Sequence, residues 1–286
     1  MRKSMRFATF AAMLVFAWAS ATAQELENGT WTISPSSDSA AVRLELHVES
    51  ADGSNNGQSS DTVPIVQLGL NRAQLDSPGE RAHFALHRDA GDFGFDGWLQ
   101  QGSGSGHFTF TPSTRYSGEM RRRGYTVDSP RKLLGAALLD LSYAYIDSVA
   151  ATGVGGLDFD NLVGFRALRI DAPYVRAMRS RFHEAGANDL LSLKALNVTD
   201  GYLSSMRSMG FETQTANDAV QLRALNVTPD YVREMASVGY GHLSTHELVE
   251  LRALGIDAAF VRRAQAHGFR HLSVEQLVQA KAMGVL

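Results

Sequence analysis

The chain has 286 residues, of which 44% are hydrophobic and 20% charged, and its formal net charge is −3. This composition excludes a disordered, a collagen-like and a polytopic membrane protein. The chain has no cysteine, which excludes a disulfide framework, cysteine-ligated zinc, an iron–sulfur cluster and a cysteine nucleophile. The length exceeds that of one ordinary domain and predicts two.

The first 23 residues have the pattern of a secretory signal peptide. Arg2, Lys3 and Arg6 precede an apolar run over residues 7–18, and the small residues of 21–23 fit a signal peptidase site. The apolar run is shorter than the roughly 20 residues of a transmembrane helix. We therefore expect cleavage after Ala23 and a periplasmic or secreted bacterial protein with no membrane span. The remaining chain would have a formal charge of −6, which argues against a nucleic-acid partner.

Residues 24–112 are predicted to form a small antiparallel β domain, either a sandwich or a short β-solenoid. Alternation of apolar and polar residues predicts strands at 41–49, 83–87, 92–96 and 106–110. The polar segment 51–61 is predicted as a loop.

The glycine-rich segment 102–106 is predicted as a flexible hairpin connection between the last two strands. Across that hairpin, Phe93 and Phe95 are expected to pair with Phe108 and Phe110.

Residues 113–286 contain an internal repeat of about 29 residues. Six aromatic residues mark the period: Tyr116, Tyr145, Tyr174, Tyr202, Tyr231 and Phe260. A residue suited to begin a helix stands three positions before each of them: Ser113, Ser142, Asp171, Thr199, Thr228 and Asp257. A second set on the same period begins the partner helices: Ser129, Asp158, Gly186, Thr215, Ser244 and Ser273. The pattern predicts six αα-hairpin units stacked as a solenoid.

The ends of the partner helices follow the period less strictly. Residues that tolerate the left-handed conformation stand there in the later units: Asn197, Asn226, Gly255 and Gly284. Asp140 and Arg169 occupy this place in earlier units and predict irregular turns. One residue is missing from the period between Phe182 and Gly186.

The sequence gives no positive indication of a catalytic, cofactor or metal site. His83 and His87 share one face of a predicted strand, with Phe84 and Leu86 on the other, so we expect a solvated histidine face. His246 begins a His-Glu-x-x motif, but glutamate stands where a zinc protease needs its second histidine. No Gly-x-Ser-x-Gly motif occurs.

Basic side chains that recur with the repeat are the candidate partner-binding residues. One set contains Arg166, Lys194, Arg223, Arg252 and Lys281, and a second contains Arg176, Arg233 and Arg262. Such rows fit a groove for an acidic partner. The structural alternative is that these cations interact with helix C-termini and cover apolar neighbours with their stems.

The repeats resemble those of exported bacterial proteins with helical units of this length. The phrases Leu-Arg-Ala-Leu-Gly-Ile at 251–256 and Thr-Pro-Asp-Tyr-Val-Arg-Glu-Met at 228–235 are similar to repeats that follow the membrane part of β-lactam-sensor-type antirepressor metallopeptidases. Segments 86–97 and 104–110 are similar to the β region before those repeats. The peptidase's transmembrane helices and His-Glu-x-x-His are absent here. The resemblance therefore implies an accessory or sensing role without protease activity.

These observations favour a non-catalytic exported scaffold that binds a protein or peptide through its repeats. The alternative is an envelope ligand sensor or enzyme with a pocket between the two domains, near His107, Arg115 or Tyr116. The end of the chain at Val285 and Leu286 lacks a polar closing unit, and is either a binding face or a frayed terminus.

Overall fold

The computed structural model describes residues 27–49, 57–211 and 213–284. The predicted signal segment, its cleavage site, residues 51–56 of the predicted loop, and Val285 and Leu286 lie outside these ranges.

The β part is one antiparallel sheet of six strands. The strands are β1 (Glu27–Pro35), β2 (Ala41–Glu49), β3 (Gly57–Pro64), β4 (Glu80–Arg88), β5 (Gly91–Gln100) and β6 (Ser103–Pro112). Their order is β3-β2-β1-β6-β5-β4. A 3₁₀ helix (Ile65–Leu68) and the short helix α1 (Arg72–Leu75) connect β3 to β4. The antiparallel β part is confirmed, and a single sheet replaces the two open alternatives of a sandwich and a β-solenoid.

Two details of the sheet differ from the sequence prediction. Residues 57–61 belong to β3, although they were predicted as a loop, because an edge strand with mostly exposed residues can be polar throughout. The hairpin connection is only Gln101 and Gly102, and residues 103–106 continue β6. The predicted aromatic pairs are confirmed, with Phe93 opposite Phe110 and Phe95 opposite Phe108.

The glycines of this hairpin make room for the buried Trp31 of β1. A Cβ atom at Gly97 would lie 2.7 Å from the indole ring, and one at Gly104 would lie 3.1 Å from it. The indole Nε1 donates to the backbone oxygens of His107 at 3.1 Å and Asp96 at 3.3 Å. The backbone oxygen of the facing strand lies closer still, 2.2 Å from the Cβ position of Gly97 and 2.7 Å from that of Gly104, so the paired strand and the indole together leave room only for glycine.

Twelve helices follow the sheet in the described part of the chain. They are α2 (Thr114–Arg122), α3 (Pro130–Leu138), α4 (Tyr143–Ala150), α5 (Phe159–Ala167), α6 (Ala172–Arg181), α7 (Ala187–Ala195), α8 (Asp200–Ser208), α9 (Ala216–Ala224), α10 (Pro229–Ser237), α11 (Thr245–Ala253), α12 (Ala258–Ala266) and α13 (Val274–Ala282). We call the even-numbered helices, which contain the periodic aromatic residues, the first row, and α3, α5, α7, α9, α11 and α13 the second row.

Equivalent helices contact one another along each row. In the second row α5 contacts α7, α7 contacts α9, α9 contacts α11, and α11 contacts α13; in the first row α4 contacts α6, and α10 contacts both α8 and α12. Like positions therefore align along the stack, which confirms the predicted helical repeat architecture.

The helix boundaries follow the predicted caps. All twelve predicted residues stand at helix N-caps, and in the first row the side chain accepts from the amide of the aromatic residue, as Thr228 does from Tyr231 at 3.2 Å. The prediction of irregular turns at Asp140 and Arg169 is wrong, because their φ values of 52° and 55° match the 54° of Asn197. The same backbone hydrogen bond closes each of these turns and imposes one geometry on every residue type.

The stack is joined to the sheet through its first unit. Helix α3 packs on β5 and β6. At the repeat position where the next unit has Arg166, this helix has the small, buried Ala137. Asp140 lies 3.2 Å from Arg88 of β4 and 3.4 Å from Arg166, so it links sheet and stack by ion pairs.

No single helix among the described residues is long and apolar enough to cross a membrane, although α3 and α4, bent by 86° at their junction, reach that length and apolarity as a pair.

Candidate functional site

The eight periodic basic residues fall into two structurally different sets. Those of the second row each lie over the aromatic ring of their own unit, with the cationic centre 4.5–5.1 Å from the ring centroid. The pairs are Arg166 with Tyr145, Lys194 with Tyr174, Arg223 with Tyr202, Arg252 with Tyr231, and Lys281 with Phe260. We call these five the ring-bound cations. Their contacts are those expected of cation–π interactions.

Two ring-bound arginines also bond to the preceding unit. Arg166 Nε donates to the backbone oxygen of Leu139 at 2.8 Å, and Arg252 Nε donates to that of Leu225 at 3.2 Å. These oxygens belong to the C-cap residues of second-row helices, where backbone carbonyls lack helical partners. The geometry thus favours the structural alternative for this set, and its role in partner binding stays a prediction.

The periodic tyrosines connect each unit to the next. Four hydroxyl groups donate to the backbone oxygen just before the next first-row helix cap, at distances of 2.6–2.9 Å: Tyr116 to Leu141, Tyr145 to Ile170, Tyr202 to Val227, and Tyr231 to Ile256. Burial raises the pKa of Tyr145, Tyr202 and Tyr231 to about 12. The repeat period identifies these tyrosines but does not predict the hydrogen bond, for which the sequence signal is their constant spacing from the next cap.

Tyr174 is the exception among the tyrosines. Its hydroxyl is buried and has no hydrogen-bond partner among the described residues. The missing residue between Phe182 and Gly186 lies in its unit, so the next cap stands one position closer along the chain. A cleft of about 190 Å³, lined by Phe182 and Leu203 among others, lies beside this missing residue.

The first-row cations Arg176, Arg233 and Arg262 are exposed, and we call the surface they share the arginine face. Each stands two residues after its periodic aromatic residue, so the three occupy equivalent positions along one row. Arg233 pairs with Asp230 at 2.5 Å, and both side chains are more than two-thirds exposed. The first-row helices contain ten arginines and five carboxylates, whereas the second-row helices contain seven basic and six acidic residues. The excess positive charge therefore lies on the first row.

A cleft of about 570 Å³ lies where the sheet meets the stack. Ser59, Asp61 and their neighbours in β3 line one side, and Tyr145, Arg166 and Arg169 line the other. The junction residues predicted from sequence do not line it: His107 is exposed on the sheet, and Tyr116 is fully buried and bonded to Leu141.

The histidines occupy the positions expected of solvated residues. His83 lies 2.8 Å from Asp96, and His87 lies 2.8 Å from Asp92. Both histidines are exposed, which confirms that they lie on the solvent-exposed face of β4. In α11, the Glu247 carboxylate of the His-Glu-x-x motif accepts a hydrogen bond from the amide of Ser244 and so forms a capping box. Within the described ranges, no group of three or more His, Cys, Asp or Glu residues is arranged to hold a metal ion.

Comparison with family models, with curated proteins and with solved structures found no match to this chain. The resemblance to repeats of antirepressor metallopeptidases stays a prediction from sequence.

Proposed function

We propose that this chain is a non-catalytic exported scaffold that binds an acidic protein or peptide through the arginine face. One observation carries the proposal: Arg176, Arg233 and Arg262 are exposed at the same repeat position of α6, α10 and α12, and α10 contacts α12. The five ring-bound cations are held within the stack, which leaves the exposed arginines as the available part of the predicted set.

The chemistry of the arginine face suits carboxylates. A guanidinium group binds a carboxylate through two parallel hydrogen bonds, and arginine remains charged at every physiological pH. Any one exposed ion pair contributes little binding energy. A row with twice as many arginines as carboxylates instead raises the association rate and selects against basic partners.

Export supports an extracytoplasmic partner. The predicted signal segment and the absence of cysteine fit a protein of the bacterial envelope that is stabilised by packing alone.

The test is a crosslinking pull-down from the envelope of the source organism with the mature protein and two triple variants. Arg176→Glu/Arg233→Glu/Arg262→Glu reverses the arginine face. Arg43→Glu/Arg131→Glu/Arg270→Glu makes the same charge change at exposed residues outside the first-row helices. We expect the first variant alone to lose a partner that the wild type recovers. Equal recovery by both variants, or recovery of no partner, would contradict the proposal.

The second candidate function is a ligand sensor or enzyme that uses the junction cleft. Its support is the cleft itself, where polar groups of β3 meet Arg169 and Asp171 of the stack. Turnover of a small substrate by the purified protein, abolished by Asp61→Ala together with Arg169→Ala, would favour this alternative. Unchanged activity in that double variant would exclude the cleft.

A further inference from the structure

The outer face of the sheet presents one exposed aromatic ring among polar side chains. Trp98 of β5 is 61% exposed, although tryptophan usually buries most of its surface. Directly across from it stand Arg81 of β4 and Ser105 of β6. In the described residues, the other exposed large hydrophobic side chains lie in the 3₁₀ helix and the stack: Val66, Leu254, Phe269 and Met283.

A hydrogen-bonding network holds polar groups beside this ring. Asp96, two residues before Trp98 on the same face, accepts from Arg81 at 3.1 Å and lies 2.8 Å from Nδ1 of His83. His107 stands opposite Asp96 on β6. Arg81 and His83 are 63% and 66% exposed and Asp96 is 47% exposed, so these side chains retain unused donors and acceptors.

The charge of the face indicates the class of ligand. Among the outward side chains that the structure describes, two are arginines, Arg43 and Arg81, and three are carboxylates, Glu45, Asp92 and Asp96. Such a balanced surface gives no preference for a strongly charged partner. A single aromatic ring surrounded by polar groups also lacks the contiguous apolar core of a protein interface. A neutral ligand that has both apolar C–H faces and many hydroxyl groups matches this pattern.

We propose that the outer face of the sheet, centred on Trp98, binds a neutral glycan chain of β-1,4-linked pyranose units. The apolar face of one sugar ring packs on the indole, and its hydroxyl groups bond to Asp96, Arg81 and His83. A β-1,4-linked chain is a flat ribbon, which suits a surface formed by side chains of neighbouring strands. Sites of this kind combine an aromatic contact with a few well-placed polar groups. This proposal is independent of the arginine face.

The experiment is calorimetric titration of the full mature protein with cellohexaose, fully N-acetylated chitohexaose and maltohexaose, all of which are uncharged. We expect at least one of the two β-1,4-linked hexaoses to bind and the helical α-1,4-linked maltohexaose not to bind. Trp98→Ala should weaken binding at least tenfold, Trp98→Phe less than threefold, and Asp96→Asn severalfold. Phe269→Ala, which removes an exposed ring of the stack, is the matched control and should leave binding unchanged.

Because Trp98 is exposed, its replacement leaves the core intact, and a loss of binding can be distinguished from a loss of the fold. Circular dichroism and thermal melting of each variant confirm the fold. Absence of binding by both β-1,4-linked hexaoses, equal binding of maltohexaose, or full binding by the folded Trp98→Ala variant would each overturn the proposal.

Discussion

Tyr231 illustrates how a single residue serves three neighbours in the stack. Its amide donates to the cap Thr228, its ring lies 4.8 Å beneath the Arg252 guanidinium, and its hydroxyl donates to Ile256 at 2.8 Å. The ring is buried, so loss of the hydroxyl would leave the backbone oxygen of Ile256 without this donor. Tyr174 has the same ring contact with Lys194, but its hydroxyl has no acceptor in the described part of the chain.

We expect Tyr231→Phe to lower the free energy of unfolding by about 1 kcal/mol, the usual contribution of a buried hydrogen bond. Tyr174→Phe removes an unpaired hydroxyl and should leave stability unchanged or slightly increased. Urea denaturation of both variants measures the difference. Equal losses in the two variants would contradict the assigned hydrogen bonds.

Residue-scale features could be predicted where they depend on local sequence. The helix caps were predicted because a cap side chain reaches an amide only three residues away. Gly104 is predicted from sequence as part of a flexible connection, because the Trp31 ring beside it comes from a strand more than 60 residues earlier. Local patterns contain no information about such a contact.

At the scale of the helix, the row in which a repeated arginine lies decides whether its side chain packs within the stack or is exposed to solvent. Arg252 of the second row is half-buried between the ring of Tyr231 and the C-terminal end of α9, the previous helix of the same row. Arg233 of the first row points to solvent with Asp230. Sequence spacing found both sets of cations but could not separate them, because both recur with the same period.

We expect Arg252→Ala to lower the free energy of unfolding by about 1–2 kcal/mol, since it removes a hydrogen bond and a cation–π contact. Arg233→Ala should change it by no more than about 0.5 kcal/mol, as for other exposed ion pairs. Thermal unfolding of the two variants gives the comparison. A larger loss for Arg233→Ala would show that the two sets have been assigned the wrong roles.

At the scale of the whole molecule, the sequence predicts the helical solenoid but not the single six-stranded sheet. The solenoid followed from the period, because copies of one unit bury their apolar surfaces only against each other. The single sheet did not follow, since strand pairing joins segments as distant as β1 and β6. The sequence also predicts a pocket at the junction but not its lining, since the cleft there is lined by β3 and by Tyr145, Arg166 and Arg169.

The buried tyrosines should make the whole stack sensitive to alkali. Burial raises the pKa of Tyr145, Tyr174, Tyr202 and Tyr231 to about 12 in the folded protein, whereas an unfolded tyrosine ionises near 10. A raised folded pKa stabilises the folded state fully below pH 10, and this stabilisation is lost as the pH rises through 12.

We therefore expect the melting temperature to fall between pH 10 and pH 12, with tyrosinate absorbance rising together with unfolding. A variant with Tyr202→Phe and Tyr231→Phe should show a shallower fall. Tyrosinate that forms near pH 10 while the protein remains folded would refute the burial of these hydroxyl groups.

The missing residue near Phe182 changes how two first-row helices of the stack are joined. Among the described residues the Tyr174 hydroxyl has no partner, and Arg181 of α6 forms an ion pair with Asp200 of α8. The second row continues past this place, since α7 contacts both α5 and α9. Dissolved salt screens a partly exposed ion pair, whereas it has little effect on the uncharged tyrosine hydrogen bonds of the other units. Added salt should therefore weaken the stack first between α6 and α8.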